Sequence, residues 1–219
     1  MASLPSGLTR LQRRVLDALR PVAGRFLLTG GAALGGYHLG HRVSADIDLF
    51  VDAEADLRLV ASALEAACRD AGWECEVRQD APAFRRYLVR ARDEESTTVD
   101  VAVDTAPAVE PNKAVVDGIR IDGLADIVVN KLCALLGRSS VKDLVDLYFL
   151  SRAGWDPLAQ VERARTKDGG MDAAVLARVL AQTSTDPSAL VLIQPISEPD
   201  LRKFRDDLTD RLLRLAWPP

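Results

Sequence analysis

Two aspartates separated by one residue, Asp46 and Asp48, open the run Asp46-Ile47-Asp48-Leu49-Phe50-Val51. On a β-strand, side chains alternate faces, so both carboxylates leave the same side with Cα atoms about 6–7 Å apart. Carboxylates that close repel each other unless a cation lies between them. Mg2+, which takes one or two carboxylates plus phosphate oxygens, is the usual occupant. Just upstream, Leu28-Thr29-Gly30-Gly31-Ala32-Ala33-Leu34 reads as an apolar strand, a Gly-Gly turn and a short helix. Backbone N–H groups exposed at such a turn can hold phosphates. The pairing points to metal-assisted chemistry on a nucleotide. Asp-x-Asp also arises by chance on acidic surface strands, and the flanks decide between the two. Ile47, Leu49 and Val51 form an apolar face while Phe50 continues the aspartate face, so this strand belongs to a core, where an unpaired carboxylate is costly.

Further charged positions need an explanation. Thr97 to Asp104 alternates cleanly, with Val99, Val101 and Val103 on one face and Asp100, Ala102 and Asp104 on the other. Asp100 is then a third metal carboxylate or a solvent-facing charge, and Asp104, before Thr105-Ala106-Pro107, suits a turn. Lys131 falls inside the apolar stripe Leu124, Ile127, Val128, Leu135 at helical spacing. It either pairs with a carboxylate or aims its charge at a triphosphate. In the next helix, Ser139 or Ser140 suits the N-cap, and Asp143 in the first turn is favoured there by the helix dipole. Asp146, deeper and flanked by apolar residues, has no such explanation. Arg42 and Ser44 precede the paired aspartates; Arg42 suits bidentate phosphate binding or a surface position. Thr29 offers a hydroxyl to a phosphate or a cap to the following helix. His38 and His41 have no ligand spacing and read as structural. Arg85, Arg86, Arg90 and Arg92 lie on or beside one strand, and Arg202, Lys203, Arg205, Arg211 and Arg214 on the last helix. Either group could meet nucleic-acid phosphates, but such runs are mostly solvated faces.

The elements that must position these residues follow from periodicity and punctuation. Leu8 to Leu19 predicts a helix closed by Pro21, Arg25 to Thr29 a strand, and Gly31 to Leu39 a small-residue helix. Asp46 to Val51 is the second strand, and Ala55 to Ala71 an amphipathic helix ended by Gly72. Strands follow at Trp73 to Arg78, Arg86 to Arg92 and Thr97 to Val103. Ala114 to Ile121 then carries an Asp117-Gly118 hairpin signal. Helices are expected at Leu124 to Leu136, Ser140 to Arg152, Pro157 to Thr166, Met171 to Gln182 and Pro199 to Ala216. The pattern shifts from mixed to all-helical near Gly123.

The 219 residues suffice for one large domain or two smaller lobes, and 48% hydrophobic with 27% charged residues is ordinary for a globular protein. A net charge of −4 argues against a strongly basic nucleic-acid coat but leaves room for local patches. Cys68, Cys75 and Cys133 are odd in number and lack metal-ligand spacing, so they read as reduced residues of a cytoplasmic protein. No run reaches the length of a membrane span, and the N-terminus lacks the apolar core of a signal peptide.

From Arg25 to Leu150 the chain resembles a known family. Thr29-Gly30-Gly31-x-Ala33-Leu34, then Arg42-x-Ser44-x-Asp46-Ile47-Asp48-Leu49-Phe50, is similar to the nucleotidyltransferase superfamily related to DNA polymerase β, and more narrowly to the AbiEii/AbiGii-type nucleotidyltransferase toxins. Asp126-x(4)-Lys131-x-x-Ala134-Leu135 and Lys142-Asp143-x-x-Asp146-Leu147-Tyr148 match later motifs of that family. The resemblance implies an α+β fold: a nucleotidyltransferase lobe with a mixed sheet over residues 1–122, and an all-α lobe over 123–219. It implies that Asp46, Asp48 and Asp100 bind Mg2+, and that Thr29, Gly30, Gly31, Arg42 and Ser44 contact an NTP. Lys131 would neutralise the leaving group, with Asp146, or else Asp143, as a catalytic carboxylate. The implied activity is transfer of NMP from an NTP to an acceptor hydroxyl, the 3′ end of tRNA, by a toxin controlled by an antitoxin. The alternatives are a small-molecule nucleotidyltransferase of the aminoglycoside-modifying kind and a catalytically silent nucleotide-binding or interaction module.

Overall fold

The computed structural model describes residues 7–92 and 95–218. Contacts divide the chain into two compact units: residues 1–106 with 112–122, and residues 107–111 with 123–219. The short excursion of 107–111 has a local cause. The Asp126 carboxylate accepts the backbone N–H groups of Val109 and Glu110 at 2.7 and 2.9 Å, tying that loop to the helical unit.

The first unit is built on a seven-stranded mixed sheet of order β3-β4-β5-β2-β1-β7-β6. Its strands are β1 (Leu27–Thr29), β2 (Asp46–Val51), β3 (Glu74–Ala81), β4 (Phe84–Arg90), β5 (Ser96–Val103), β6 (Ala114–Val116) and β7 (Ile119–Ile121). β2 lies at the centre, antiparallel to β1 and parallel to β5. Its residues alternate between half-buried and buried, Asp46, Asp48 and Phe50 on one side and Ile47, Leu49 and Val51 on the other. The apolar face continues through Val99, Val101, Tyr87 and Val89, all buried. Helix α3 (Glu54–Ala71) covers that face with Leu57, Val60, Ala61, Leu64 and Cys68. Gly72, in the left-handed conformation at φ 66°, stops it. Helix α1 (Arg10–Ala18) begins with a capping box between Thr9 and Gln12.

Several boundaries differ from expectation, each for a local reason. Helix α2 (Gly30–Ala33) starts one residue early, then widens over Leu34–His38, where the Leu39 N–H reaches back five residues to the Leu34 carbonyl. The β3–β4 hairpin turns at Pro82-Ala83, so β3 runs on to Ala81 and β4 starts at Phe84. Asp117 and Gly118 both adopt positive φ, the tight two-residue turn that joins β6 and β7.

The second unit is helical: α4 (Leu124–Arg138), α5 (Val141–Arg152), α6 (Val161–Lys167), α7 (Ala173–Gln182) and α8 (Glu198–Ala216). Helix α4 packs on α5, α6 and α7, and α7 packs on α8. The region from Pro157 opens with a 3-10 turn (Leu158–Gln160) before α6. No helix among the described residues is long and apolar enough to cross a membrane.

Candidate active site

Strand register brings the first set of functional side chains into one row. Thr29 on β1 pairs with Asp48 on β2, Asp48 pairs with Asp100 on β5, and Asp100 pairs with Arg86 on β4. Laterally paired residues on adjacent strands lie about 4.7–4.9 Å apart and project from the same face. Asp46 shares that face, paired with Thr98. The sheet's apolar face is committed to the core, and this opposite face carries the charge.

The Gly-Gly turn adjoins the row closely. Gly30 has φ 64°, and a Cβ placed on it would run into Asp48 Oδ2 and stand 2.8 Å from Asp48 Cγ. A Cβ on Gly31 would lie 2.6 Å from Ser44 Oγ and 2.8 Å from Arg42 Nη2. Both glycines are therefore required by what surrounds them. Ser44 donates its hydroxyl to Asp46 Oδ1 at 3.2 Å. Its backbone is fixed in turn: its N–H donates to the Gly7 carbonyl and its carbonyl accepts from Gln12 Nε2. Arg42 is only 2% exposed, so it is an interior cation beside the turn and not a surface arginine.

Thr29 makes no capping bond to α2 and has a hydroxyl proton to give. It donates that proton to Asp122 Oδ2 at 2.6 Å, and Asp122 Oδ1 also accepts from Lys113 Nζ at 2.9 Å. His38 Nε2 lies 2.8 Å from the Asp122 carbonyl. The sequence reading did not single out this buried cluster. Its members are up to 93 residues apart, and a charge on Asp122 beside the all-helical boundary was the one available hint.

Asp100 stands beside Asp48 as expected, but both its oxygens accept from Arg86, Nε to Oδ1 at 2.8 Å and Nη2 to Oδ2 at 2.6 Å. The Asp100 hydrogen bonds, together with the charges of Asp46 and Asp48, push the Arg86 guanidinium above its ordinary value. Among the described residues, no group of three or more His, Cys, Asp or Glu is arranged to hold a metal ion. Asp46 and Asp48 form a donor set that fits Mg2+, which takes one or two carboxylates and fills its other positions with water and phosphate oxygens. Asp100, beside Asp48, holds the Arg86 guanidinium.

The second unit holds the other predicted residues. Lys131 Nζ on α4 lies 3.0 Å from Asp143 Oδ1 and 2.6 Å from Asp146 Oδ2, both on α5. The lysine side chain is 5% exposed and both aspartates 0%. Asp143 also accepts from Arg138 Nε at 2.7 Å and Nη2 at 3.0 Å. Ser140 is the N-cap but makes no side-chain capping bond, so Asp143 turns inward to cations and not to the helix end. Burial pushes the Asp143 carboxyl up, but Lys131 and Arg138 outweigh it and hold it below its ordinary value. Asp143 and Asp146 both hold the same ammonium.

Known proteins bear on this arrangement. A candidate nucleotidyltransferase from Helicobacter pylori is 24% identical, covering 93% of this chain and 95% of its own at a TM-score of 0.54. JHP933, also from H. pylori, is 21% identical over 95% of this chain and 94% of its own at 0.57. MenT4, a nucleotidyltransferase toxin of Mycobacterium tuberculosis, is 16% identical over 93% and 86% at 0.49. No match was found among curated proteins. The two H. pylori likenesses establish the fold. The family described as nucleotidyl transferase AbiEii toxin of type IV toxin–antitoxin systems matches residues 14–218, which include every site residue named above. The chain belongs to that family, and it is a nucleotidyltransferase.

Proposed function

We propose that the protein transfers NMP from an NTP to the 3′-terminal hydroxyl of tRNA, using Mg2+ held by Asp46 and Asp48. The observation that carries this is the close fit of Asp48 against Gly30: paired carboxylates directly abut a turn whose backbone can approach phosphate. The ion, when bound, neutralises phosphate charge and activates the entering hydroxyl. Gly30 and Gly31 hold phosphate oxygens through backbone N–H groups, and Arg42 adds a buried positive charge beside them. Ser44 orients Asp46. Within the helical unit, Asp143 and Asp146 hold the Lys131 ammonium in place. The family's toxin–antitoxin role implies an antitoxin counterpart, and the substrates imply that the enzyme acts in the cytoplasm.

The test is incubation with each α-labelled NTP, Mg2+ and total tRNA, beside an Asp48→Ala control. Label on RNA that the control lacks supports the reading. Label passing only to aminoglycosides would replace the acceptor. NTP binding with no transfer would leave a silent module, and absence of nucleotide binding would defeat the whole scheme.

A further inference from the structure

The row across the sheet has a direction. Thr29, with the Gly30-Gly31 turn immediately after it, stands at one end; Asp48 follows, then Asp100, and Arg86 stands at the other end. In an in-line displacement the entering and leaving oxygens lie on opposite sides of the reacting phosphorus. A triphosphate held at the glycine turn, with its α-phosphorus over Asp48, therefore receives the entering hydroxyl from the Asp100–Arg86 end. In a two-metal site a second ion works there. Here a cation already occupies that end. Asp100 is 11% exposed at its side chain and gives both oxygens to Arg86, whose own side chain is 46% exposed. The guanidinium uses two of its five N–H donors on Asp100 and packs over the Phe84 ring at 5.5 Å. The remaining N–H groups give a fixed, permanently charged donor set on the sheet face that carries Asp46 and Asp48.

We propose that Arg86, positioned by Asp100, replaces the second metal ion of this site. One divalent ion binds at Asp46 and Asp48, and Arg86 receives the acceptor, whose reacting end is therefore anionic, as in a polynucleotide, and not cationic. This rests on the nucleotidyl-transfer reading above. In the step it serves, the acceptor oxygen bonds to the α-phosphorus and the bond from that phosphorus to the α–β bridging oxygen breaks. Pyrophosphate leaves with the electron pair, and the hydroxyl proton passes to water. Arg86 stays charged throughout, drawing the entering oxygen and the non-bridging α-oxygens together.

Mn2+ binding followed by electron paramagnetic resonance, with non-hydrolysable analogues of each NTP in turn, counts the ions. Wild type and Asp100→Asn are expected to bind one ion each, and the Asp46→Asn/Asp48→Asn variant none. Arg86→Met is expected to lose at least tenfold in transfer to total RNA while its affinity for the analogue stays within threefold, and Arg86→Lys to recover part of the rate. Two ions in wild type, one of them lost in Asp100→Asn, would overturn the proposal, as would an Arg86→Met rate within twofold of wild type. Either result would leave nucleotidyl transfer standing. No ion in wild type would instead remove the nucleotidyl-transfer reading itself.

Discussion

Replacing Gly30 with alanine tests whether the glycine turn and Asp48 act as one unit. Two costs can be worked out separately. The backbone at φ 64° is left-handed, which costs a residue with a Cβ about 1–2 kcal/mol. For a chain of this length that lowers Tm by about 2–8 °C. The second cost falls on the site. The new Cβ would stand 2.8 Å from Asp48 Cγ, whereas carbon atoms pack at about 3.5–4.0 Å, so the carboxylate must retreat by roughly 1 Å. A 1 Å misplacement of a reacting group is worth about 100-fold in rate. Gly72→Ala supplies the control. Its φ of 66° imposes the same backbone strain, but its Cβ would meet only the flexible end of Arg92, 2.9 Å away. Both variants are expected to melt several degrees early, and only Gly30→Ala to lose about 100-fold in NMP transfer, measured with labelled NTP at a temperature where both are folded. A Gly30→Ala enzyme within threefold of Gly72→Ala would refute the coupling of turn to carboxylate.

Other perturbations reach the charged clusters and the thiols. Lys131→Met removes the ammonium that Asp143 and Asp146 share and should cost about 3–5 kcal/mol in urea denaturation; adding Asp146→Asn should restore part of that, and a single-variant loss below about 1 kcal/mol would deny the ion cluster its place. Asp143 has a carboxyl held below its unfolded value of 3.8, so the stability it contributes is complete above that pH and lost as pH falls through the lower folded value. Unfolding monitored from pH 7 downward should therefore show this loss only below about pH 4, and Asp143→Asn should remove it. The Cys68 thiol hydrogen-bonds to Cys75, which pushes Cys68 up and holds Cys75 down. Iodoacetamide at pH 8 should accordingly modify Cys75 ahead of buried Cys68, as read by peptide mass spectrometry.

The parts of the fold that the sequence disclosed are those set by local periodicity. β2 occupies Asp46–Val51 as expected because an alternating strand advertises both its faces and its ends. The all-helical switch at Gly123 was equally plain, since apolar stripes of helical spacing begin at Leu124. Lys131 stood out because a charge inside such a stripe must have a partner; which aspartate it meets depends on how α4 packs on α5, and it meets both. Arg86 shows the opposite case. Among Arg85, Arg86, Arg90 and Arg92 nothing local distinguishes it, because its importance comes from the register of β4 against β5, which joins residues 14 apart. Thr29 was legible as a candidate position but its partner was not, since Asp122 lies just past β7, with five strands between β1 and β7 in the chain.

Stability alone gives little reason for the charges this chain buries. Replacing a buried ion pair with well-packed apolar groups of similar volume is often neutral or stabilising, because the attraction between the ions barely repays their lost hydration. Asp146 sits among Leu144, Val145, Leu147 and Leu150, all buried, where a leucine would incur no such penalty. What two aspartates achieve that a leucine cannot is to fix a lysine ammonium in position. Asp143 and Asp146 both contact the Lys131 ammonium, and Arg138 balances the extra negative charge. The same logic applies to Asp100 and Arg86, where a carboxylate that could have bound metal instead anchors a guanidinium. In both clusters aspartates hold a cation still.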